Sequence, residues 1–96
     1  MRKAARRRAR EQRRRERVVE EAFNSYMDHM VDRLGGLGIE EALAMDAIFS
    51  VVEQLGEDGV LPPYPEGQVG YEEMGTWLVA AADFGLVDFM VEAAQA

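Results

Sequence analysis

Val19, Ala22, Phe23, Tyr26, Met27, Met30, Val31 and Leu34 recur at spacings of three and four residues. That spacing gathers them on one face of an α-helix. Glu20, Glu21, Asp28 and Asp32 fall largely on the opposite face. Neither Pro nor Gly interrupts the chain from Ala4 to Leu34, and Arg, Ala, Glu and Gln dominate it. The pattern predicts one continuous helix of about 30 residues, about 45 Å long at 1.5 Å per residue. Upstream of Val18 the apolar positions dwindle to Ala4, Ala5 and Ala9. The C-terminal half of this helix is therefore expected to pack, and the N-terminal half to project.

Gly35, Gly36 and Gly38 stop the first periodic segment, since C-caps and tight turns need the positive φ that Gly supplies. A second helix is predicted over about 39–55, with Glu40 and Glu41 in the first turn, where the helix dipole favours anions. Its apolar face reads Leu43, Ala44, Ala47, Ile48, Val51, Val52 and Leu55. GEDGVLPPYPEGQVG then marks a structured loop through its Gly and Pro content. A third helix begins near Tyr71 and carries Met74, Trp77, Leu78 and Ala81; Gly85 separates it from a last helix through Leu86, Val87, Phe89, Met90 and Val91. Trp77, Phe84, Phe89 and the Met residues are read as core. The expected fold is all-α, a small bundle of three to four helices behind a long, Arg-rich N-terminal helical extension. A chain of 96 residues allows one such domain. It divides into a basic arm, 1–17, and an acidic helical domain, 18–96.

Charge sharpens that division. Residues 2–17 hold ten of the eleven Lys and Arg and only Glu11 and Glu16 as acids, a net charge of +8. From Val18 onward Arg33 stands alone against sixteen acids, a net charge of −15. The overall −7 thus conceals a cationic arm on an anionic body. Dense blocks of like charge repel themselves and point to a partner of opposite sign. At low salt that repulsion is expected to fray the arm until a polyanion neutralises it.

Arg6, Arg10, Arg13 and Arg17 form one helical stripe; Arg7, Arg14 and Arg15 flank it, and Arg8 lies farther round. Arg grips phosphate with a planar fork and stacks on bases. RRRAREQRRRER, residues 6–17, resembles the arginine-rich RNA-binding motifs of viral regulators, including lambdoid N antiterminators and the lentiviral Rev protein. The resemblance implies an arm that binds RNA as a helix. Those motifs also use Asn, Trp or Thr for base contacts, and the arm contains none of the three. Phosphate contact without sequence readout is the expected mode.

Little in the chain supports catalysis or a cofactor. Without Cys, disulfides and thiolate chemistry are excluded. His29 is the sole His, and only Ser50 and Thr76 follow it as aliphatic hydroxyl residues. A nucleophile with its base is hard to build from that set. Glu40–Glu41 and Glu72–Glu73 start helices, where they complement the dipole. EGQVGYEEM is similar to the second half of a calmodulin-type EF-hand loop, with Gly67 at the turn, Val69 at the short β-contact and Glu73 at the last ligand position. The first and third loop positions fall on Pro62 and Tyr64, so Glu66 and Glu73 alone remain to hold calcium. No metal and no cofactor is expected.

The sequence therefore suggests a non-enzymatic nucleic-acid-binding accessory protein, viral or phage-encoded in view of its compactness. Its arm would hold RNA or DNA through Arg6, Arg7, Arg8, Arg10, Arg13, Arg14, Arg15 and Arg17. The stripe of Val19, Phe23, Tyr26, Met27, Met30 and Leu34 is the expected oligomer or partner interface, because a small body gains from further burial. The alternative is an acidic protein-binding module, an inhibitor or a minor assembly component of a particle, whose arm tethers an acidic partner. No stretch is apolar enough for a signal peptide or a membrane span, which suggests a cytoplasmic protein or one inside a viral particle.

Overall fold

The computed structural model describes residues 2–67 and 70–96. They form four helices: α1 (Arg2–Gly35), α2 (Glu41–Glu57), α3 (Tyr71–Phe84) and α4 (Leu86–Gln95). Helix accounts for 81% of the described residues, and no strand occurs among them. The all-α bundle and its long first helix are as the hydrophobic periodicity predicts.

α1 is the element the others share. It packs against α2, α3 and α4, and α3 also packs against α4. Phe23, Met27, Met30 and Leu34 of α1 are buried between Ala44, Ile48, Val52 and Leu55 of α2 and Trp77, Ala81, Leu86 and Met90 of α3 and α4. No charged or polar side chain is buried among the described residues. Burial of apolar surface therefore drives the fold, at roughly 1.5–3 kcal/mol for each large side chain enclosed.

The loop after α2 belongs to this core, which its Gly- and Pro-rich composition does not reveal. Leu61 and Pro65 are buried, and Tyr64 is half-buried. The Tyr64 ring stands edge-on to Trp77 at 5.2 Å and tilted to Phe23 at 5.8 Å. Phe23 and Tyr26 complete the cage around Trp77 at 5.6 and 6.4 Å.

Five residues expected to face inward do not, among them Ala22, which is exposed on α1. Leu43 is 60% exposed and Ala47 is also exposed, because α2 buries the narrower stripe of Ala44, Ile48, Val52 and Leu55. At 100° per residue Leu43 and Ala47 lie well to one side of that stripe. Phe84 and Phe89 are also largely outside the core; their rings meet each other 5.3 Å apart across the α3–α4 corner.

Two glycines make opposite predictions. Gly85 is the C-cap of α3 at φ 78°, its N–H bonded to the Ala81 and Ala82 carbonyls, and no atom crowds an added Cβ. Gly85→Ala should cost about 1–2 kcal/mol through the left-handed backbone alone. Gly75 lies inside α3 with ordinary helical φ, and an added Cβ would sit 3.9 Å from Val19 Cγ1, in normal contact. Gly75→Ala should stabilise by about 0.5–1 kcal/mol. Urea denaturation of both variants checks the opposed signs.

Candidate nucleic-acid interface

The arm is the N-terminal half of α1, continuous with the packed half. Residues 2–15 are exposed throughout, and Val19, opposite Gly75, is the first apolar residue half-buried by the body. Helix in the arm is supported by local propensity rather than by tertiary packing. It extends a molecule measuring 59 Å along its long axis against 27 and 22 Å across.

On that exposed helix Arg10, Arg13, Arg14 and Arg17 line a shared recess. Arg13 Nε donates to the Ala9 carbonyl at 3.3 Å, one turn back. Glu16 accepts instead from Gln12 Nε2 at 3.3 Å. Among the described residues no guanidinium of the arm hydrogen-bonds a carboxylate. Arg6, Arg7, Arg8 and Arg15 are likewise exposed. All eight candidate arginines thus stand in solvent on one rod, spread around most of its circumference.

The candidate interface on the other half of α1 has a different fate. Phe23, Met27, Met30 and Leu34 are buried within this chain's own core, with Leu34 and Met30 each only 1% exposed. Val19 and Tyr26 are half-buried. Helices α2 to α4 cover most of the stripe within the chain.

Burial raises the pKa of the Tyr26 phenol, with a smaller push from the Asp88 charge, against an opposing hydrogen bond from the Val87 backbone. Burial also raises that of Tyr64, and the Glu66 carboxylate adds to it. Folded phenols that hold their protons more firmly than unfolded ones stabilise the fold fully below the ordinary phenol pKa. That contribution is lost as pH rises from about 10 towards the higher folded values. Thermal melts between about pH 9 and pH 11 should therefore fall less steeply for the double variant Tyr26→Phe/Tyr64→Phe than for the parent chain.

His29 is exposed on α1. No group of three or more His, Cys, Asp or Glu able to hold a metal occurs among the described residues. Of the loop similar to an EF-hand, Val69 lies outside the described residues; Pro62 and Tyr64 occupy the positions where calcium needs oxygen ligands. No single helix among the described residues is long and apolar enough to cross a membrane. Comparison of this chain with protein-family models, curated proteins and solved structures finds no match.

Proposed function

We propose that this chain is a non-enzymatic nucleic-acid-binding accessory protein, and that its compactness fits a viral or phage factor. One observation carries the reading: Arg6, Arg7, Arg8, Arg10, Arg13, Arg14, Arg15 and Arg17 stand exposed on a single helix, none hydrogen-bonded to a carboxylate. A rod that is basic over most of its circumference fits a nucleic-acid groove, where each arginine can meet a phosphate. Such contacts fix position on the polyanion and carry no base information. The acidic body is repelled by the same phosphates, which keeps it outside the groove and orients the complex.

Gel-shift titrations with RNA, duplex DNA and single-stranded DNA of unrelated sequences test this directly. The expected result at about 50 mM salt is binding to polyanions with weak sequence preference. An absence of any shift at that salt contradicts the proposal.

A further inference from the structure

Between the C-terminal half of α2 and the loop that follows it lies an open groove of about 450 Å³. Phe49, Val52, Pro63 and Tyr64 give it an apolar lining, and Glu53, Glu57 and Glu66 line it as well. The three carboxylates are exposed and make no hydrogen bond to another side chain among the described residues. Phe49 meets Tyr64 edge-on at 5.4 Å, so two aromatic rings are held at right angles in the groove. Tyr64 also touches Phe23, which follows Arg17 on α1 by less than two helical turns, about 9 Å at 1.5 Å per residue. Through Tyr64 the groove thus adjoins the segment of α1 that follows the arm.

We infer that this groove receives the basic arm of a second copy of the chain. Charge complementarity selects that occupant: a +8 helix meets a −15 body. Glu53 and Glu57 are spaced one helical turn apart, as are Arg10 and Arg14, or Arg13 and Arg17. Two helices laid side by side can thus pair these charges in register. Arginine also stacks on aromatic rings, which Phe49 and Tyr64 offer. A chain's own arm does not fill its own groove, because α1 runs unbroken from Arg2 to Gly35 and carries the arm away from the body. Two antiparallel copies related by a two-fold axis at the arm roots lay each arm along the other's body. That exchange is self-complementary and closes as a dimer.

One consequence is competition. A polyanion and the partner's groove claim the same arginines, so nucleic acid opens the dimer and the dimer restrains binding. The competition rests on the polyanion reading of the arm; the dimer does not.

Sedimentation velocity of the full chain at about 20 mM and about 0.5 M salt tests the inference, because the pairing is screened at the higher value. A dimer is expected at low salt and a monomer at high salt. E53Q/E57Q/E66Q should weaken the dimer about tenfold or more, each lost pair counting twice by symmetry. R10Q/R13Q/R14Q/R17Q should do the same from the other side of the contact. D46N/D83N/E92Q removes equal charge from exposed positions outside the groove and should leave the dimer largely intact. Heparin should dissociate the parent dimer. Circular dichroism verifies that each variant keeps its helix. A parent chain that is monomeric at low salt overturns the inference, as does an E53Q/E57Q/E66Q variant that dimerises like the parent. A dimer that heparin leaves whole contradicts shared use of the arm, whatever the gel shifts show.

Discussion

Trp77→Ala is expected to destabilise the body by about 3–5 kcal/mol. Trp77 is fully buried and meets Phe23, Tyr26 and Tyr64, so it joins α1, α3 and the loop after α2. Truncation removes all three ring contacts and leaves a cavity that short, cross-packed helices cannot collapse without losing others. A domain this small has a total stability of only about 0.05–0.15 kcal/mol per residue, so much of the population should unfold. Trp77→Phe separates packing from polarity. The indole N–H has no hydrogen-bond acceptor among the described residues, so its removal forfeits no bond. That variant should lie well above Trp77→Ala in urea midpoint. Phe84→Ala, at a ring 37% exposed, should change stability far less than either truncation of a buried ring. A Trp77→Ala variant with the parent's midpoint would show that this cage does not hold the helices together.

Neutralising the recess in R10Q/R13Q/R14Q/R17Q should cost on the order of a thousandfold in nucleic-acid affinity at about 0.1 M salt, with the fold unchanged. Each phosphate contact contributes about 0.9 to the slope of log affinity against log salt on a duplex, so losing four should flatten it by about 3 to 4. Gln keeps a long polar side chain and reasonable helix propensity, which confines the change to charge. Fluorescence anisotropy of a labelled duplex measures both quantities. A variant that binds as tightly as its parent places the contact elsewhere on the chain.

The helices were legible because α1 and α2 repeat their apolar residues at helical spacing and Gly36, Gly38 and Gly85 punctuate them. Which side of each helix is covered was less so. Leu43 and Ala47 look like core in a list of apolar positions, but α2 packs chiefly on α1 and buries a stripe too narrow to include them. Phe84 and Phe89 are apolar enough for a core yet stand at a corner, where they find each other. Tyr64 was hidden for the opposite reason. It sits in a Pro-rich loop with no periodicity, and only the folded chain brings it against Trp77. A single aromatic within PPYPEG was the available signal, since rigid Pro-flanked turns can hold a ring in place.

The same contrast governs the functional surfaces. The eight candidate arginines of the arm are a local feature, so helical geometry suffices to arrange them. The acidic groove joins Phe49 of α2 to Glu66 of the following loop and has no counterpart in linear spacing. The packed half of α1 sits between these cases. Its stripe was plain, but whether α2 to α4 or another molecule covers it depends on how those helices fold back. Within one chain they bury Phe23, Met27, Met30 and Leu34.

On the proposed function the arm holds a polyanion through several phosphates at once. Affinity of the full chain for one labelled duplex, measured from about 0.05 to 0.5 M monovalent salt, tests it most directly. Five to eight engaged arginines predict a slope of log affinity against log salt between about −4 and −7. A slope near zero contradicts the account.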